Sequence, residues 1–86
     1  MTFEVAVDIM PRQEISDPQG QTIERALPRI GFPEVSGVRV GKRITLSIEA
    51  IDERRAIEIV EGACRKFLTN PAIEEFSVSV SPGVSN

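Results

Sequence analysis

The stretch Thr2–Met10, reading TFEVAVDIM, constrains this chain more than any other. Phe3, Val5, Val7 and Ile9 alternate with Glu4, Ala6 and Asp8. Side chains two residues apart share one side of an extended backbone, so the stretch is a strand with one apolar and one polar face. Its apolar face has to be covered. Pro11 closes the strand because proline cannot donate to a ladder.

Two more regions alternate in the same way. In Val35–Ala50 the apolar positions are Val38 and Val40, then Ile44, Leu46 and Ile48, with Gly41-Lys42 between them. A glycine-containing break between two such runs predicts a hairpin of strands 35–40 and 43–51, with Gly37 marking a bend or bulge in the first arm. In Glu75–Ser81, Phe76, Val78 and Val80 alternate with Ser77 and Ser79. Pro82-Gly83 ends that strand, and the last few residues are expected to fray.

The intervening segments have helical spacing. Asp17-Pro18 is a helix start, a capping carboxylate followed by a proline tolerated in the first turn. Ile23, Leu27 and Ile30 then recur on one face of a helix over 18–30, with Gly31 as its terminator. Pro28 lies inside that span. It removes the bond to the Glu24 carbonyl, which predicts a kink or a tightened last turn near Leu27. Asp52 caps a second helix over 53–69. Its apolar stripe is Ala56, Ile59, Val60, Ala63, Cys64, Phe67 and Leu68, and Asn70-Pro71 stops it.

The order β-α-β-β-α-β over 1–86 predicts a single α+β domain of the ferredoxin-like split β-α-β type. A four-stranded antiparallel sheet would carry two helices on one face, since right-handed crossovers put both there. Strands 2–10 and 43–51 would be central, with 35–40 and 75–81 at the edges.

Composition excludes several functions. A net charge of −3 and an aromatic set of four Phe argue against a nucleic-acid surface. No histidine is present, which removes Ser-His-Asp and Cys-His catalysis and the usual zinc ligand sets. Cys64 is the one cysteine, so no intrachain disulfide can form. Arg65 and Lys66 could lower its pKa, but a buried helix position is the plainer reading. No apolar run reaches membrane-spanning length and the N-terminus lacks a signal pattern, so the cytoplasm is the expected location.

The run from Gly37 through Lys42-Arg43 superficially resembles a phosphate loop. It has the wrong spacing, lacks the Ser or Thr after Lys42, and precedes a strand. Glu74-Glu75 and Asp52-Glu53 lie at element ends, where carboxylates are solvated. The residues themselves therefore point to a binding domain, with no catalytic, cofactor or metal residues to name.

Asp17-Pro18-Gln19-Gly20, Ala26-Leu27, Val38-Arg39-Val40-Gly41-Lys42, Cys64, and Asn70-Pro71 followed by the Phe76-Ser-Val strand occur in that order. In order and spacing this set resembles the PurS family, the small subunit of bacterial and archaeal phosphoribosylformylglycinamidine synthase. The resemblance spans about Phe3 to Val80, and Pro28 departs from it. It implies a non-catalytic subunit of the complex that makes formylglycinamidine ribonucleotide in purine biosynthesis. That subunit would bridge a glutaminase subunit and a large synthetase subunit and support ammonia transfer. ATP and glutamine would be used by the complex, with no cofactor on this chain.

On this basis the expected subunit contacts are Asp17, Pro18, Gly20, Arg39, Gly41, Lys42, Arg43, Asn70 and Pro71. Arg39 and Lys42 are expected at a projecting basic tip. Short edge strands and a small core predict a homodimer, conceivably a tetramer. The competing expectation is a stand-alone dimeric ferredoxin-like regulatory module that binds a small metabolite.

Overall fold

A computed structural model describes residues 1–82. The central strand, β1, runs Thr2–Pro11. Helix α1 covers Pro18–Ala26, β2 Lys42–Glu49, α2 Glu53–Ala63 and β3 Glu74–Pro82. The sheet is three-stranded and antiparallel, in the order β2-β1-β3. Val7 of β1 stands between Ile44 of β2 and Val78 of β3, and Val5 between Leu46 and Val80.

The apolar side of β1 is the core. Phe3, Val5, Val7 and Ile9 are buried, and Ala56, Val60 and Cys64 descend on them from α2. Full burial of each Val or Ile stabilises by about 1.5–3 kcal/mol. Cys64 is fully buried among Val5, Val7, Ile9 and Val60. Loss of water raises its thiol pKa; Arg65 opposes the shift and Glu61 adds to it. The buried reading of Cys64 holds and the activated one does not. We expect iodoacetamide to alkylate native Cys64 on the order of 100-fold more slowly than a free thiol, because reaction requires opening of the core. Mass spectrometry of the quenched reaction measures this; a rate like that of free cysteine would contradict the burial.

Both helix starts follow the sequence. Asp17 accepts from the Gly20 N–H at 3.0 Å, and Asp52 from the Arg55 N–H at 2.8 Å. The first helix tightens at Pro28 into a 3-10 turn over Leu27–Ile30, as the lost bond requires. Gly31, at φ 108°, turns the chain out of it.

The expected four-stranded sheet is wrong, and so is the hairpin at its centre. Residues 35–40 form no strand. The N–H groups of Val38 and Val40, which a ladder would have used, donate to carboxylates near α1 instead. Val38 N–H reaches Glu24 Oε1 at 3.0 Å and Val40 N–H reaches Asp17 Oδ2 at 2.9 Å. A tight two-residue hairpin also needs a left-handed residue at its turn, and the positive-φ glycines are Gly31 and Gly37. Gly41 therefore passes the chain on into β2 without reversing it. With 35–40 gone, β2 is an edge and β1 alone is central.

Two features of the second helix also differ from expectation. Beyond Ala63 it widens into a π-turn over Cys64–Leu68, and the Thr69 N–H and hydroxyl both donate to the Cys64 carbonyl, at 3.0 and 2.9 Å. The wider turn rotates Phe67 out of the stripe and leaves it 86% exposed, while Leu68 packs on the core. Asn70 is not a left-handed cap, since no residue except glycine has positive φ among the described residues. Its side chain closes a local turn by accepting from Ala72 N–H at 3.2 Å. The expected fraying concerns residues 83–86, which lie outside the described part of the chain.

Candidate functional site

The expected contact residues do not form a projecting tip. Most gather at one end of the sheet, where β1 finishes, α1 starts and the chain enters β2. The first layer is built on Asp17. One carboxylate oxygen caps α1 at Gly20, and the other holds Val40. Arg39 Nε lies 3.8 Å from the second oxygen. The Val40 and Gly20 N–H groups, and then the Arg39 charge, hold the Asp17 carboxyl below its ordinary value, against a smaller upward push from burial.

Arg39 folds back instead of projecting. Its guanidinium donates to the carbonyls of Pro11 and Arg12, the two residues where β1 ends. Its side chain is only 25% exposed. A cation that closes strand-end carbonyls has little left with which to reach a partner. Glu24 forms the second tie, to Val38, two helical turns along from Asp17.

The glycines are there because backbones meet. A Cβ on Gly20 would lie 2.6 Å from both Asp17 Oδ2 and the Val38 carbonyl oxygen. A Cβ on Gly41 would overlap the Ile9 carbonyl and Met10 Sδ. Pro18 stands in the first turn of α1, where a missing N–H costs nothing.

The second layer joins the loop before β3. Arg12 donates Nε and Nη2 to the Pro71 carbonyl at 3.1 and 2.7 Å, and its N–H bonds the Ile73 carbonyl at 2.8 Å. Glu74 accepts from Asn70 N–H at 2.8 Å and lies 3.9 Å from Lys42 Nζ. Lys42 is exposed and is the one member of the expected tip whose ammonium faces outward. Arg43 belongs elsewhere. It pairs bidentately with Asp8 at 2.8 and 3.1 Å on the open polar face of the sheet.

Asp17, Gly20, Arg39, Gly41 and, through Glu74, Lys42 and Asn70 thus share one clasp. Sequence reading missed Glu24, Arg12 and Glu74. Glu24 lies seven residues beyond Asp17 on the same side of the helix, which is the one hint of its role. Nothing in the spacing marks Arg12. The Asp17, Glu24 and Arg39 side chains of the clasp are engaged with backbone N–H and carbonyl groups. Among the described residues no group of three or more His, Cys, Asp or Glu side chains could hold a metal ion. Its chemistry is that of a mechanical joint: it fixes the direction in which α1 leaves the sheet.

Comparison with known proteins identifies the family. The PurS family, described as phosphoribosylformylglycinamidine (FGAM) synthase, matches residues 4–82. The chain belongs to the PurS family. It is 42% identical over 76 residues to the phosphoribosylformylglycinamidine synthase subunit PurS of Thermotoga maritima, covering 88% of this chain and 93% of that one. The crystal structure of Methanocaldococcus jannaschii PurS superposes with a TM-score of 0.85 at 33% identity, over 95% of this chain and 99% of the other. A chain of the PurLQS structure from Thermotoga maritima superposes with a TM-score of 0.87 at 40% identity, over 94% and 99%. PurS membership makes the chain a subunit of FGAM synthase in purine biosynthesis. No helix among the described residues is long and apolar enough to cross a membrane.

Proposed function

We propose that this PurS chain is a non-catalytic organising subunit. It joins a glutaminase subunit to a large ATP-dependent synthetase subunit and acts as a homodimer in the cytoplasm. The observation that carries this is the clasp. Asp17 and Arg39 spend their polar groups on the start of α1, the return segment and the end of β1, and Lys42 is left facing outward, toward a partner. The PurLQS structure from Thermotoga maritima contains a chain of this shape, which supports assembly with partners like PurL and PurQ. In this reading ATP and glutamine belong to the complex, and this chain holds no cofactor of its own. Support for ammonia transfer would come from holding the glutaminase against the synthetase.

Co-purification tests it. The tagged chain, expressed with the glutaminase and synthetase subunits of its own source, is expected to retain both and to raise glutamine-dependent FGAM formation well above that of the two subunits alone. Retention of neither subunit would overturn the proposal. Lys42→Ala refines the contact surface, since Lys42 is the exposed cation of the clasp. If it touches a larger subunit, assembly weakens while the chain's own melting curve stays put.

A further inference from the structure

The two edges of the sheet are built differently. In the order β2-β1-β3 each outer strand bonds β1 on one side only, so every second residue turns its N–H and C=O outward. On β2 the polar side chains are charged or tied down. Lys42 and Arg43 open the strand, Ser47 donates to Glu4 Oε2 at 2.8 Å, and Glu49 accepts from the Thr2 hydroxyl at 2.9 Å. Charges, prolines and bulges are the means by which natural proteins keep an edge from pairing. Between Phe76 and Ser81, β3 has none of them. The stretch reads FSVSVS, without a charge or a proline. Its register advances residue for residue, from Glu74 opposite Pro11 to Pro82 opposite Phe3, which leaves no bulge. Among the described residues no backbone bond besides this ladder reaches Phe76–Ser81.

The two faces beside this edge define what fits it. On the apolar side Phe76, Val78 and Val80 pack on the core but stay half-buried. Helix α2 covers β1 and β3 there, and α1 packs extensively against no strand. A strand laid along the edge gains a ladder and buries alternate apolar side chains beside Val78 and Val80. On the polar side Ser77 and Ser79 are exposed, and the start of the edge is acidic. A notch of about 170 Å³ is lined by Asp8, Met10, Glu75, Phe76 and Ser77. Its carboxylates are accessible, Asp8 at 43% and Glu75 at 60%. Arg43 is bidentate on Asp8, whereas Arg12 Nη1 lies 3.7 Å from Glu75, too far for a hydrogen bond. Glu75 can therefore take a further cation, with Met10 as an apolar wall for its stem.

We propose that the outer edge of β3 docks an extended segment of the large synthetase subunit, which pairs with Phe76–Ser81 as an added strand and sets a Lys or Arg into the Asp8–Glu75 notch. The inference rests on the organising-subunit reading and adds a surface to it. Phe76–Ser81 extends over roughly 20 Å. Beyond the notch, at the start of the same strand, Glu74 lies 3.9 Å from the outward ammonium of Lys42. One partner that meets the ladder, the notch and Lys42 has a long footprint, which suits the larger of the two subunits. Main-chain bonds give such a joint its affinity, and the alternating side chains fix its register, since a slip of one residue would put apolar groups on the polar face. The unguarded edge then has a purpose. Bare, an uncharged FSVSVS strand invites aggregation; under a partner strand it is a defined joint.

The test is hydrogen exchange, read by mass spectrometry on the full chain alone and mixed with the glutaminase, the synthetase or both from its own source. In the free chain the peptide spanning Phe76–Ser81 should leave about half of its amides in rapid exchange. With the synthetase those amides should slow by on the order of 100-fold. The Ser77→Lys, Ser79→Lys double variant, altered only at exposed positions, should keep its circular dichroism and melting curve and weaken synthetase binding by about 10-fold or more. Glu75→Lys, which puts a like charge into the notch, should weaken it by a similar factor. Binding to neither subunit would overturn the organising-subunit reading together with this surface. A synthetase complex that leaves the peptide unprotected or ignores the double variant would overturn the docking surface and leave that reading standing. So would protection by the glutaminase alone, or protection already present in the free chain, as a second copy on the edge would give.

Discussion

Replacing Asp17 with Asn is expected to loosen the clasp between α1 and the segment that enters β2. The carboxylate satisfies two backbone donors, Gly20 and Val40, from different parts of the chain, and faces Arg39. Asn can offer one oxygen in its place, and its NH2 would oppose one of the two N–H groups. The Gly20 and Val40 amides should then exchange with solvent on the order of 10-fold faster or more, since local opening of the joint no longer breaks charge-assisted bonds. Core amides of β1, such as Val7, should change little. The pH dependence gives a second readout. The folded carboxyl titrates below its ordinary value of 3.8. Its contribution is therefore complete above that value and disappears as pH falls through the lower, folded pKa. Wild type and Asp17→Asn should differ in urea stability at about pH 7, and the gap should close as pH falls below the ordinary carboxylate range. A gap that stays constant down to strongly acid pH would mean that the Asp17 charge contributes nothing at this site.

Gly41→Val is the other large expected effect. The position lies directly over the Ile9 carbonyl and Met10 Sδ. A Cβ there has to displace β1 backbone at the point where β2 begins to pair, Lys42 opposite Ile9. Overpacking of this kind costs about 1–3 kcal/mol, and a backbone neighbour yields less than a side chain. Gly62→Ala is the matching control. It lies within α2 with open space around it, so the higher helix propensity of Ala should stabilise by about 0.5–1 kcal/mol. Urea melts of the two variants should move in opposite directions. Equal shifts would show that the Gly41 contact does not exist in solution.

Both predictions depend on contacts invisible at short range. The carboxylate at position 17 was legible as a helix cap because an N-cap bond spans three residues. Its second bond, to Val40, spans 23 residues, and no local pattern encodes it. The same holds for Arg39. A Lys and two Arg within five residues suggested a basic tip, yet Arg39 turns back onto strand-end carbonyls and Arg43 onto Asp8. Charge counts a cation without saying which acceptors the fold brings near it. Phe67 was misplaced for a subtler reason. The 3.6-residue period puts it on the core stripe, and one π-turn, closed by Thr69 on the Cys64 carbonyl, rotates it into solvent.

The chain's own sequence was enough to determine three strands, both helix starts, the 3-10 turn at Pro28, the burial of Cys64 and membership in the PurS family. Each follows from alternation, capping or covalent restriction, acting over a few residues, or from motifs kept in order along the whole chain. Only the tertiary structure decided that residues 35–40 are not a strand, that the sheet has three strands, and that α1 stands away from it. Alternation says which side chains share a face; it does not say what the backbone N–H groups will meet. In this protein Asp17 and Glu24 reach the N–H groups of Val40 and Val38, and those two bonds tie an expected edge strand to α1 instead of to the sheet.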